Sequence, residues 1–138
     1  MVELNEIEGN ILAYWKSHQI YKKVKERNSG GKPFFFADGP PYATGQIHTG
    51  TALNKCLKDA VLRYNRAKGM NVRDQPGYDT HGLPIEVKVE KELKIENKKE
   101  IEKLGVEKFV LKCREYASEY IGVISDQFAR CGVWMDWV

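Results

Sequence analysis

The sequence predicts an α/β fold, a parallel sheet flanked by helices, and three observations carry that reading. Apolar residues recur at helical spacing in three separate stretches, two short strand-like runs stand among them, and each run leads into a stiff loop rich in glycine and proline. Strand, loop, helix, strand is the order of a βαβ unit, which is almost always right-handed and builds a parallel sheet. Two strands make a thin sheet with an unpaired edge, so the fold is expected to be incomplete as an isolated chain.

In chain order, Leu4, Ile7, Ile11, Tyr14 or Trp15 and Tyr21 mark one face of a helix running to about Lys25. Turn formers from Arg27 to Pro33 end it, so residues 1–32 read as an N-terminal helix and linker. Phe34-Phe35-Phe36-Ala37 is a short apolar run, expected as a buried strand. The following stretch, Asp38 to Gln46, holds too much proline and glycine for regular structure and forms the first stiff loop. Leu53, Leu57, Ala60, Val61 and Tyr64 then trace the expected packed face of a second helix, which Gly69 should close. Lys55, Lys58, Arg63, Arg66 and Lys68 fall on the same helix and read as its solvated side. Asn71 to Asp74 is the second strand candidate, and Gln75 to Pro84 the second stiff loop. Both loops leave carboxyl ends of parallel strands, where ligands sit in such sheets, so they should face each other across one crevice.

Residues 86–138 read as a helical segment. Its first part, Glu86 to Lys103, is a solvated charged stretch. Val106, Phe109, Val110, Cys113, Ala117, Tyr120, Ile121, Ile124 and Phe128 follow as a continuous helical stripe that needs a packing partner. The chain closes on the apolar Trp134-Met135-Asp136-Trp137-Val138, which suggests continuation into a larger protein.

With 138 residues, 42% of them apolar, the chain can bury one core, and a charged fraction of 30% without low-complexity tracts excludes a disordered class. A net charge of +3 is compatible with a nucleic-acid partner without arguing for one. Cys56, Cys113 and Cys131 are odd in number and widely spaced, which points to reduced thiols and away from a disulfide framework or a zinc site. No run is apolar enough to span a membrane, and Glu3, Glu6 and Glu8 do not suit a signal peptide, so a cytoplasmic location is expected.

The chemistry concentrates at His48-Thr49-Gly50-Thr51, where the first loop meets a helix start. Unpaired backbone N–H groups and the helix dipole favour an anion there. Gly50 lets a ligand approach the backbone, His48 can donate to a phosphoryl oxygen, and Thr51 offers a hydroxyl. Read plainly, the same four residues are a cap by Thr49 or Thr51 with a surface histidine beside it. His18 reads as a surface residue, and His81 as a hydrogen-bonding partner of its own loop.

The segment Asp38-Gly39-Pro40-Pro41-Tyr42-Ala43-Thr44-Gly45-Gln46-Ile47-His48-Thr49-Gly50-Thr51-Ala52-Leu53-Asn54-Lys55 resembles the "HIGH" signature of class I aminoacyl-tRNA synthetases in its isoleucyl form. Gln75-Pro76-Gly77-Tyr78-Asp79-Thr80-His81-Gly82-Leu83-Pro84-Ile85-Glu86 is similar to that family's second signature. Valyl and leucyl relatives depart from both, and the likeness spans nearly the whole chain.

The resemblance implies a partial Rossmann-like (HUP-type) sheet, with 33–85 as the nucleotide-binding half, the HIGH-type motif at 41–51, and 86–138 leading toward an editing insertion. It implies ATP with Mg2+ and isoleucine as substrates, tRNA(Ile) as acceptor, and no metal held by the protein in this segment. By position, His48, Gly50, Thr51 and Asn54 would hold ATP, with His48 and Thr51 acting on the transition state. Gly39, Pro40, Pro41, Tyr78 and Asp79 would hold isoleucine, Asp79 taking its ammonium group. Thr51 stands where the motif ends in a second histidine, as in archaeal-type relatives. Half of the transition-state contacts come from segments outside these residues, so the chain alone is expected to be inactive. Two other readings stand beside this one: a small adenylyltransferase, and a non-catalytic module binding a partner through the 106–128 stripe.

Overall fold

A computed structural model describes residues 3–137. The first helical stretch is two helices, α1 (Leu4–Ser17) and α2 (Ile20–Arg27), because Gln19 adopts a left-handed conformation at φ 52° and breaks the single helix expected to Lys25. The break turns Tyr21 inward, where its hydroxyl donates to Asp74 at 2.9 Å, and lets Trp15 meet the Trp134 ring edge-on.

Strand β1 is Pro33–Phe35 and β2 is Asn71–Arg73, paired in parallel with Phe34 opposite Val72. Between them runs α3 (Thr49–Ala67), so the βαβ order holds, with Gly69 at φ 80° just past the helix. Gly31 has no room for a side chain: a Cβ there would lie 2.1 Å from the Gly69 carbonyl oxygen. The strands are shorter than expected. Val72 is buried, but Phe35 is 71% exposed, so β1 is not the buried strand its composition suggests.

Helices α4 (Leu83–Leu93), α5 (Lys98–Leu104) and α6 (Val106–Arg130) follow. The charged stretch is solvated apart from the buried Val89 and the partly covered Val87, Glu90, Ile95, Glu100 and Ile101. Along α6, Phe109, Ala117, Ile124 and Phe128 enter the core with Leu62, Val72, Ile85, Val89, Val133 and Met135, while Val106 and Val110 stay exposed. Among the described residues no helix is long and apolar enough to cross a membrane.

Helix α3 reverses expectation. Leu53, Leu57, Val61 and Tyr64 are exposed, and the inward face is Lys55, Asp59, Leu62 and Arg66. The reason is the supply of polar partners beneath it. Asp38 receives Lys55, Asp74 receives Arg66, and Asp59 accepts the Trp134 backbone N–H at 3.0 Å. The segment after α6 lies under the helix, with the Arg63 guanidinium 4.0 Å from the Trp134 ring. Reading Lys55 and Arg66 as a solvated side is therefore corrected: each is almost wholly buried and paired.

Candidate functional site

The two stiff loops meet. Residues 41–43 pair with Asp79 as a short parallel bridge, in which the Ala43 N–H donates to the Asp79 carbonyl at 3.0 Å and the Asp79 N–H to the Pro41 carbonyl at 2.8 Å. Deeper down, the Gly77 N–H donates to the Asp38 carboxylate at 3.2 Å. Gly77 sits so near the first loop that a Cβ would be 3.4 Å from that of Pro40. The expected facing of the loops is thus built from backbone bonds.

At the start of α3 the cap is His48 itself, and neither Thr49 nor Thr51 as the plain reading had it. Its Nδ1 accepts from the Gly50 and Thr51 N–H groups at 3.1 and 3.3 Å. An imidazole nitrogen that accepts two backbone N–H groups carries no proton, so the ring proton of the neutral form is on Nε2. Nε2 lies 2.8 Å from Thr51 Oγ1. The imidazole therefore turns its one N–H toward the Thr51 hydroxyl at the wall of the site, leaving that hydroxyl's own proton free, while its other nitrogen satisfies two of the orphan groups at the helix start. Gly50 belongs to the same arrangement, since a Cβ there would come within 3.1 Å of His48 Cε1.

Beside this cap lies a hollow of about 260 Å³ walled by Gly39, Pro40, Pro41, His48, Gly50, Thr51, Asn54 and Lys55. A second, of about 340 Å³, shares Pro40, Pro41, His48 and Thr51 and extends along Tyr42, Thr44 and Ile47 to Ile124. Seven of the nine residues singled out from sequence thus surround one space. Tyr78 and Asp79 do not line it. The Tyr78 hydroxyl turns to Ser125 Oγ at 2.5 Å, and burial raises its phenol. Asp79 stands behind Tyr42, whose phenol is pushed up by hydrogen bonding to that carboxylate and by its charge.

Lys55 is the residue that sequence reasoning missed. Asp38, its side chain fully buried, receives both Lys55 and Lys58, the latter at 2.8 Å, and Lys58 also donates to the Gly39 carbonyl at 3.1 Å. Burial opposes the charges of Asp38 and Lys55, yet the single carboxylate serves two ammonium groups. Burial pulls Asp38 upward, but the hydrogen bonds from Lys55 and Lys58 outweigh it and the carboxyl ends below its ordinary range. Lys55 is held below the usual lysine range by burial, which its share of one carboxylate does not offset. The cluster has a surplus of positive charge and forms part of the hollow's wall, where it favours an anion. Asp38, seventeen positions before Lys55, was the available clue.

The remaining histidines are peripheral. His18 is exposed, with Nδ1 3.0 Å from the Tyr14 carbonyl. The exposed His81 is near Thr80 Oγ1, at 3.4 Å, and not bonded to the loop backbone as expected. It rims a separate cavity of about 500 Å³ between α4 and α6. The three cysteines are free.

Residues 10–138 match the family of class I tRNA synthetases for I, L, M and V. Among curated proteins, the chain is 55% identical over 131 residues to an isoleucine–tRNA ligase of Methanoregula boonei, covering 95% of the chain and 12% of that protein. It is 51% identical over 133 residues to the isoleucine–tRNA ligase of Thermococcus kodakarensis, covering 96% of the chain and 12% of the relative. With the isoleucine–tRNA ligase of Methanocaldococcus jannaschii the identity is 51% over 137 residues, 99% of the chain and 13% of the relative. The chain thus spans about one eighth of the length of these relatives.

Proposed function

The chain belongs to the class I tRNA synthetases of the I, L, M and V group, and from that premise we propose that it forms half of the ATP and isoleucine site of an isoleucine–tRNA ligase. The observation that carries the reading is the shared hollow: an imidazole donor, a glycine and a hydroxyl at one helix start face a proline-walled loop bonded to Asp79.

In this reading residues 33–85 are the nucleotide-binding half of a Rossmann-like (HUP-type) sheet, residues 1–32 its N-terminal helix and linker, and 86–138 a helical segment beside it. Exposure of Leu53, Leu57, Val61 and Tyr64 on α3, and of Phe35 on β1, supports a larger domain in which these faces are covered. Without those partners the site is half built, and the chain alone is inactive.

The reaction joins the isoleucine carboxylate to the α-phosphorus of ATP, breaking the bond to pyrophosphate, and then passes the acyl group to a hydroxyl of tRNA(Ile), breaking the acyl–phosphate bond and releasing AMP. Nε2–H of His48 turns from the Thr51 hydroxyl to a phosphoryl oxygen as negative charge gathers on it, and the Thr51 hydroxyl turns its own proton to a neighbouring oxygen. A hydroxyl carries no positive charge, so the surplus charge of the Asp38, Lys55 and Lys58 cluster supplies what an imidazolium at the Thr51 position would. Gly50 and Asn54 border the nucleotide. Gly39, Pro40 and Pro41 pack on the aliphatic side chain, with Tyr78 holding the loop in place. Asp79, which stands behind Tyr42 and outside the hollow's wall, is assigned the substrate ammonium by its place in the signature, and a carboxylate suits that task through a charge-assisted hydrogen bond. The residues lining the hollow include no carboxylate, and Asp38 behind Lys55 is engaged by two lysines; Mg2+ in this reading comes with ATP as part of the substrate. Such an enzyme works in the cytoplasm.

Isoleucine-dependent exchange between ATP and pyrophosphate, measured on the complete protein that carries this chain, tests the proposal. His48→Ala should lower kcat about a hundredfold or more, the scale for losing one preorganised donor. Exchange that ignores isoleucine and responds to a phosphorylated acceptor would identify an adenylyltransferase instead.

A further inference from the structure

Helix α6 touches both loops with polar side chains. From the first loop, the Ile47 N–H donates to Gln127 Oε1 at 2.8 Å, one residue before His48. Three turns earlier on the same helical face, the Tyr116 hydroxyl donates to the Thr44 carbonyl at 3.2 Å. Burial and the neighbouring Tyr120 push the Tyr116 phenol up to about 12, so it remains a donor. Toward the second loop, Ser125 Oγ donates to the Ile121 carbonyl at 2.6 Å. Its own proton is thereby committed, and the Tyr78 hydroxyl must be the donor in the 2.5 Å contact with Ser125. Between these positions Ile124, 2% exposed, closes the end of the hollow that holds His48 and Thr51.

Two of these contacts differ from ordinary packing: Gln127 fixes the backbone next to His48, and Ser125 holds the Tyr78 side chain next to Asp79. Ile47 precedes the imidazole that caps α3, at φ −103° and ψ 167°. A half-buried Ile47 N–H left without its acceptor would be satisfied by rotating the Gln46–Ile47 peptide, which would shift the backbone one residue before His48 and swing the ring out of its cap. Tyr78 precedes Asp79, and its hydroxyl is the second loop's tie to α6.

We propose that α6 is a common strut for both halves of the site, with Gln127 the positioning residue for His48 and Ser125, through Tyr78, the positioning residue for Asp79. The inference rests on the reading of the site as an adenylate-forming one and adds to it two residues outside both signature segments. Since one rigid helix holds both loops, any shift of α6 moves the phosphate side and the amino-acid side together.

The test uses the complete protein. Gln127→Met, similar in length and without an oxygen, should lower kcat for isoleucine-dependent exchange about tenfold to a hundredfold, the scale for a displacement near one ångström, while KM for isoleucine changes less than about twofold. Ser125→Ala should instead raise KM for isoleucine, and Tyr78→Phe combined with it should add little. Hydrogen–deuterium exchange read by mass spectrometry gives an answer independent of activity. Peptides covering 44–51 should exchange faster in Gln127→Met and peptides covering 76–82 faster in Ser125→Ala, each without change in the other loop. Equal exchange in both loops for both variants, or a lowered kcat accounted for wholly by a smaller folded fraction, would overturn the strut. A parent protein that shows no isoleucine-dependent exchange while the loops still respond separately would sink the functional reading and leave the strut intact.

Discussion

Removing Asp38 should be among the most damaging single changes in this chain. Its carboxylate is fully buried, and its partners Lys55 and Lys58 have side chains only 3% and 19% exposed. Asp38→Ala leaves the Lys55 ammonium enclosed by the Phe128 and Trp137 rings, 5.0 and 6.0 Å away, with no anion. Breaking a buried pair from one side costs about 3–5 kcal/mol. A domain has only about 5–15 kcal/mol to lose. At a urea dependence of about 2 kcal/mol per molar, the unfolding midpoint should fall by about 2 M. Fluorescence of Trp15, Trp134 and Trp137 reports the transition, and Trp137 lies beside the affected lysine. Adding Lys55→Met to Asp38→Ala removes the stranded charge and should recover a large part of the loss. The pH dependence has a definite sign. Because the Asp38 carboxyl lies below its unfolded value of 3.8, the unfolded chain takes up the proton first as pH falls. The stabilisation is therefore whole above about pH 5 and is lost as pH falls through the folded-state pKa, and Asp38→Ala should flatten that loss. A midpoint unmoved by Asp38→Ala, or a double variant weaker than the single one, would refute the account of the cluster.

Gly50→Ala should displace the His48 ring, because its new Cβ would sit 3.1 Å from Cε1, and so remove a cap worth about 1 kcal/mol and weaken ATP binding; thermal unfolding and the KM for ATP check both. In nitrogen-15 spectra of labelled histidine, His48 should show an unprotonated Nδ1 and a protonated Nε2 in its neutral form, and the reverse pattern would remove its role as a donor at Nε2. Gly31→Ala should cost at least 1–3 kcal/mol in thermal unfolding, since its side chain and the Gly69 carbonyl cannot share the space between the strands.

How much of this was legible follows from which residues act locally. The meeting of the two loops could be read in advance because proline and glycine exclude helix and strand, and a parallel βαβ unit sends both loops to one end. The helix break at Gln19 could not, since nothing in Ser17-His18-Gln19 forbids a helix; it is imposed from outside, where Tyr21 reaches Asp74 and Trp15 reaches Trp134. The His48 cap was hidden for another reason. Serine, threonine, asparagine and aspartate are the residues that ordinarily cap, so Thr49 and Thr51 drew attention, while an imidazole acceptor escapes propensity altogether. Gln127 and Ser125 left no signal, because their partners Ile47 and Tyr78 lie 80 and 47 residues away and one of those partners is a backbone N–H.

The inverted face of α3 connects the fold to the chemistry. Leucine and valine on one side and lysine, aspartate and arginine on the other suggest by periodicity alone which side is wet, and the answer is wrong because amphipathicity measures contrast and not direction. Three of the four inward residues are ionisable, and each reaches a different part of the chain: Lys55 the first loop at Asp38, Asp59 the segment after α6 at Trp134, and Arg66 the end of β2 at Asp74. Apolar residues of similar size could hold the helix as firmly, since buried pairs return little net stability. They would not fix its rotation about its own axis, because apolar contacts are nondirectional, whereas two ion pairs and a charge-assisted hydrogen bond at three separate heights are directional. His48 caps this helix, so the rotation decides where its Nε2 points. The buried charges of α3 thus set the aim of the imidazole, and the apolar stripe is left outward as the surface on which a larger catalytic domain would close.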